Sequence, residues 1–132
     1  MSQESGEIVR RYYAAWNAGG LDAVRAFWSE DFEWQDAPGM PDSGVYRGPD
    51  AVAAHFQDLA EVLGPMKVHV DELVPARDEV FVRLRVHLDA PRGGLLLSGP
   101  IFETVRIEEG KISRIRLFLD ETAALEAAGL SE

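Results

Sequence analysis

A chain of 132 residues, 46% apolar and 27% charged, has the balance of an ordinary globular domain and is long enough to bury a substantial core. Thirteen basic against twenty-three acidic residues give a formal net charge of −10, which argues against nucleic acid or an anionic membrane surface as partner, since both demand concentrated positive charge. The absence of cysteine excludes disulfides and thiolate chemistry, and the lack of a signal-like start or of an apolar run near the ~20 residues of a membrane span makes a soluble, cytoplasmic protein the expectation.

Residues 5–18 read as a helix, because Ile8, Val9, Tyr12, Tyr13 and Trp16 recur on one face. "NAGG" at 17–20 stops it, and a shorter helix follows over 21–29 with Leu21, Val24, Phe27 and Trp28 turned inward. A strand opens with "FEWQDAP" and ends in the loop "APGMPDSG", too rich in Pro and Gly for regular structure. Pro49 suits the first position of a third helix carrying Val52, Phe56, Leu59 and Leu63, stopped by Gly64-Pro65. The period then changes from 3.6 to 2, predicting strands over 66–74, 79–89, 95–107 and 111–119. Asp120 caps a short last helix, "ETAALEAAG". Helices followed by a strand meander imply one α+β domain over residues 1–132, with helices on one side of an antiparallel sheet.

The last hairpin has a readable register. A two-residue turn at Glu109-Gly110 sets Ile107 against Ile112, Val105 against Arg114, Glu103 against Arg116 and Ile101 against Phe118 on one face. The other face carries Phe102–Leu117, Thr104–Ile115 and Pro100–Leu119, and is the better core candidate; a bulge at the turn would exchange the two. In the second strand of the meander, Arg83, Arg85 and His87 alternate with Val82, Leu84 and Val86, so the charged set belongs on the outer face.

Within "FEWQDAP", alternation places Phe32, Trp34 and Asp36 on the same, inward face. An unpaired carboxylate is costly to bury, so Asp36 is either an acid/base group in an apolar pocket or a strand-end residue capping the following loop. Tyr12 lies in an apolar stripe where its hydroxyl needs a partner, and either Tyr12 or Tyr13 could face the cavity. Trp16 and Trp34 read as apolar walls, and His55 flanks Phe56 at the edge of the third helix's stripe. No HxH or HxxxH spacing suggests a metal site.

The order of elements resembles the nuclear transport factor 2-like superfamily, whose curved antiparallel sheet folds into a cone around a pocket. "YYAAWNAGGLDAVRAFWSEDFEWQDAP" is similar to the start of ketosteroid isomerases and SnoaL-like polyketide cyclases, and "VYRGPDAVAAHF" and "EEGKISRIRLFLD" resemble two further SnoaL-like signatures. This resemblance implies a cone packed against three helices plus the short C-terminal one. It also implies a small apolar molecule in the cone, no cofactor, and a homodimer through the outer sheet face, where Phe81, Ile101 and Phe118 would be apolar anchors. By alignment with the isomerases, Tyr12 falls on the oxyanion-hole tyrosine and Asp36 on the general base. The family's second, protonated aspartate falls on Phe102 in "SGPIFE", and a phenyl ring cannot donate a hydrogen bond.

The expected reading is therefore a cofactor-free acid/base isomerase or cyclase using Asp36 and Tyr12, with Trp16, Trp34, His55, Phe56, Phe102, Leu117 and Leu119 against the substrate. A cavity of roughly 300 Å³ or more reaching Asp36 would favour ligand chemistry over a filled core. The alternatives are a binding or accessory domain without catalysis, and, with the hairpin register moved by one, an epoxide hydrolase- or dehydratase-like site built from Glu103 and Arg116.

Overall fold

A computed structural model describes residues 2–37, 44–64, 66–77, 79–88 and 99–130. The elements run α1 (Ser2–Gly19), α2 (Leu21–Val24), a 3-10 turn (Arg25–Phe27), β1 (Trp28–Gln35), β2 (Val45–Arg47), α3 (Pro49–Leu63), β3 (Met66–Pro75), β4 (Glu79–Leu88), β5 (Ile101–Glu108), β6 (Lys111–Phe118) and α4 (Glu121–Ala128). The six strands form one curved, open sheet in the order β2-β1-β6-β5-β4-β3. Two details differ from expectation. The second helix tightens after Val24, so Trp28 opens β1, and the three-residue β2 pairs with β1 without a sequence signal of its own. The start expected for β5, 95–98, lies outside the described residues.

Local chemistry explains the boundaries. Pro49 begins α3, where its missing N–H costs nothing. Asp120 accepts a hydrogen bond from the Ala123 N–H at 2.9 Å and so caps α4. Gly129 closes that helix in the left-handed conformation at φ 80°, its N–H reaching the Glu126 carbonyl. The β5–β6 turn has φ 53° at Glu109 and 80° at Gly110, as the twist of a two-residue hairpin requires.

Four of the five strand pairings are antiparallel; β1 pairs with β6 in parallel, Trp34 opposite Ile115. Along β5–β6 the expected register holds for Glu108–Lys111 and Ile107–Ile112. A bulge then inserts Ser113, and Arg106 pairs with Arg114, Val105 with Ile115 and Glu103 with Leu117. One extra residue moves everything beyond it to the other face. Ile101, Glu103, Val105, Ile115 and Leu117 thereby share the inner face, while Phe102, Thr104, Arg116 and Phe118 share the outer one.

The main core lies between α1, α3 and the inner sheet face, with Val9, Val24, Phe32, Val52, Ile112 and Ile115 fully buried. Each such side chain contributes about 2 kcal/mol by leaving water. A second cluster forms on the outer face, where Ala124 and Ala128 of α4 cover Phe81 and Phe102. The anchors expected for a dimer are thus engaged within the chain: Phe81 is 1% exposed beneath α4, Phe118 packs at the edge of that cluster, and Ile101 faces inward. The alternation in β4 holds, with Val82 and Leu84 buried and Arg85 exposed and paired with Asp71 at 2.8 and 2.9 Å.

Candidate functional site

The inner face of the sheet and the two long helices leave a cavity of about 110 Å³, lined mainly by apolar groups. Helix α1 contributes Tyr12, Tyr13 and Trp16; β1 contributes Trp34, with Asp36 just beyond its end; α3 contributes Phe56 and Leu59. Strands β4 to β6 supply Leu84, Val86, Ile101, Glu103 and Leu117, and β3 supplies Met66 and Val68. Phe32, Trp34 and Asp36 are all buried, so the alternation read in "FEWQDAP" carries the carboxylate inward. The cavity does reach Asp36, but at about 110 Å³ it falls short of the ~300 Å³ that would favour ligand chemistry over a filled core.

Asp36 is held from three sides. Its Oδ1 accepts a hydrogen bond from Trp34 Nε1 at 2.5 Å, and its Oδ2 stands 2.9 Å from His55 Nε2. That second contact lies off the axis of the ring nitrogen, which has no aligned hydrogen bond among the described residues. The His55 ring stacks on Tyr46 with centroids 4.0 Å apart. The Asp36 backbone N–H donates to the Gly44 carbonyl at 3.0 Å, and residues 38–43 of the loop that Asp36 was expected to cap lie outside the described residues. The side chain is left facing the cavity, oriented by two nitrogen groups.

Across the same cavity lies a second carboxyl. Glu103 accepts a hydrogen bond from the Tyr13 hydroxyl and is 6% exposed. Burial, only partly opposed by that hydrogen bond, pushes its pKa up to about 7, so near neutrality it carries a proton for much of the time. Burial likewise pushes both tyrosine phenols well above their ordinary range and keeps them neutral. Tyr12 accepts from Trp28 Nε1 at 3.3 Å, which leaves its own hydrogen free to donate.

Of the residues expected against the substrate, Trp16, Trp34, Phe56 and Leu117 line the cavity with Asp36 and Tyr12. His55 lies behind Asp36 as its neighbour. Phe102 does not line it: the bulge turns the ring to the outer face beneath α4. Leu119 lies past the end of β6 and is 49% exposed. The postulated Glu103–Arg116 pair is also absent, because the same bulge sends Arg116 outward, where it binds Glu79 at 3.0 Å. The Tyr13–Glu103 pair takes its place. Its signal was the parity of "ISRIRL": Ile112 and Ile115 cannot both point inward unless the strand holds an extra residue.

Residues 9–115 match the profile of the SnoaL-like domain. An uncharacterized protein of Mycobacterium tuberculosis is 31% identical over 123 residues, covering 92% of each chain. Among solved structures, Bal32a from a soil-derived mobile gene cassette superposes with a TM-score of 0.78 at 23% identity, over 96% of this chain and 97% of that one. TerC, co-crystallized with polyporic acid, superposes with a TM-score of 0.76 at 21% identity, over 97% and 99%. The fold is shared with ketosteroid isomerase-like and polyketide cyclase-like proteins of the nuclear transport factor 2-like superfamily.

Proposed function

The chain belongs to the SnoaL-like domain family, and from that premise we propose that it is a small acid/base enzyme acting on an apolar carbonyl compound of about one ring. The observation that carries the reading is the pair of buried carboxyls facing one apolar cavity in unlike settings: Asp36 beside two nitrogen groups, Glu103 desolvated against a tyrosine. Unlike environments for two carboxyls are how an acid and a base coexist at one pH.

In this mechanism the substrate's carbonyl oxygen receives hydrogen bonds from protonated Glu103 and from the Tyr12 hydroxyl. The Asp36 carboxylate removes a proton from the carbon next to the carbonyl; the C–H electrons move toward that oxygen, giving an enolate that the two donors stabilise. In a β,γ-unsaturated ketone the protonated Asp36 then returns its proton to the γ carbon of the dienolate, the carbonyl re-forms, and the carbon–carbon double bond has moved into conjugation with it. Proton transfer of this kind contributes about 10²–10⁴-fold, and the apolar walls strengthen both hydrogen bonds by excluding water. Arg116 points away from the cavity, so an arginine-assisted epoxide opening finds no support here.

The small volume of the cavity favours a second reading, a binding module without chemistry. One experiment separates them. Cyclohexanone, 2-cyclohexenone and acetophenone are incubated in D₂O with the wild type and Asp36→Asn, and deuterium uptake beside the carbonyl is followed by NMR. Enzyme-dependent exchange that falls about 10²–10⁴-fold in Asp36→Asn supports catalysis. Saturable binding with no exchange leaves the binding module, and exchange indifferent to Asp36→Asn removes the proposed base.

A further inference from the structure

The cavity has a deep end and a shallow end. Its polar groups, Tyr12, Tyr13, Asp36 and Glu103, are all buried, whereas Trp16, Leu59 and Met66 are only partly buried. On the far side of Trp16 lies a surface groove of about 390 Å³, running over the end of α1, the outer side of α3 and the start of β3. Trp16, Phe56 and Met66 line both spaces. The two are therefore neighbours with Trp16, Phe56 and Met66 as the partition between them.

The partition is braced. Trp16 Nε1 donates to the Met66 carbonyl at 3.1 Å, and its indole meets Phe56 edge to face with centroids 5.7 Å apart. The next residue, Asn17, clamps Val68 in both directions, donating to its carbonyl at 2.7 Å and accepting from its N–H at 2.8 Å. An indole held at its nitrogen and followed by a clamped backbone cannot swing aside at small cost.

We propose that Trp16 is the specificity-determining residue of this site: it limits the substrate to a single small ring and closes the cavity against anything longer. The proposal rests on reading the inner cavity as the substrate site. An apolar cavity of about 150 Å³ binds benzene, so about 110 Å³ leaves room for one ring at most. The polar deep end fixes the substrate's direction, its oxygen toward Glu103 and its far side against the Trp16 indole. Extension on that far side meets the partition, and removing the indole joins cavity to groove.

The test uses benzene, n-butylbenzene and biphenyl as probes, followed by amide NMR titration of the wild type, Trp16→Phe, Trp16→Ala and Met66→Ala. The wild type is expected to bind benzene and reject biphenyl, and Trp16→Phe to keep that order. Trp16→Ala gains at least tenfold for biphenyl; Met66→Ala thins the same partition from the β3 side and gains in the same direction, so loss of folding in one variant leaves the other decisive. An unchanged size preference in the folded variants overturns the proposal, as does the failure of all three probes to bind the wild type. These probes carry no exchangeable proton beside a carbonyl, so the result is independent of turnover. A size limit that moves as stated while no ketone exchanges would sink the catalytic reading alone, and the converse would sink this one alone.

Discussion

Two glutamates in this sheet are almost equally inaccessible to solvent, Glu79 at 5% and Glu103 at 6% exposure, and their surroundings push them in opposite directions. For Glu79, on the outer face, burial alone would raise the pKa, but hydrogen bonds from Arg114 and Arg116 outweigh it and hold the carboxyl below its usual range. Glu103, on the inner face, is more deeply enclosed, has only a phenol as partner, and rises to about 7. Low exposure alone does not decide whether a carboxyl is charged; the depth behind it and the neighbour beside it do. The glutamate that two cations neutralise supports the sheet and the end of α4, where Arg116 also reaches the Ala127 carbonyl. The one without a cation keeps its proton up to near neutrality.

The comparison breaks most visibly at Glu79. In Glu79→Gln, Arg114 and Arg116 lose their shared counter-charge in a partly buried place, at a cost of about 3 kcal/mol in urea denaturation at neutral pH. Glu103→Gln should cost far less at that pH, and equal losses would erase the distinction drawn here.

Its effect lies instead in pH dependence. Between pH 4.5 and about 7 the folded chain keeps the Glu103 proton that the unfolded chain has released, so wild-type stability falls as pH rises through that window. The fall attributable to this group is up to about 3 kcal/mol, full stability being present below 4.5. Denaturation midpoints across pH should show the slope in the wild type and its loss in Glu103→Gln. The smallest change sharpens the contrast: Tyr13→Phe removes the hydrogen bond that opposes burial, costs about 1 kcal/mol, and moves the falling window to higher pH. A window that moves down would show that Tyr13 stabilises the protonated acid.

Long periodic segments were legible in the sequence. The stripe of Ile8, Val9, Tyr12, Tyr13 and Trp16 packs into or against the core as its spacing required, and so do Val52, Phe56 and Leu59. Asp36 was legible because a strand's period of two leaves few choices once Phe32 and Trp34 are inside. The other half of the site was hidden by Ser113. A bulge reverses every side chain beyond it, and "IFETV" has apolar groups at Ile101 and Val105 on one face and Phe102 on the other, so composition could not choose between them. The outer face had its own use for Phe102 in the cluster under α4, a demand set by tertiary packing. Strand β2 was missed because three residues carry too little pattern to register.

The parallel pairing of β1 with β6 ties the order of folding to the making of the cavity. Strands β3 to β6 form a meander in which each can dock on its predecessor, but β1 has only the short β2 nearby and otherwise waits for a strand far along the chain. Closing that long loop must be met in entropy before the pairing returns anything, so β1 is expected to join late. The seam it closes is also the seam of the site, with Trp34 and Asp36 arriving on one side and Leu117 on the other. A chain that has not yet joined its first strand to its last lacks the wall of the cavity that Trp34 and Asp36 supply.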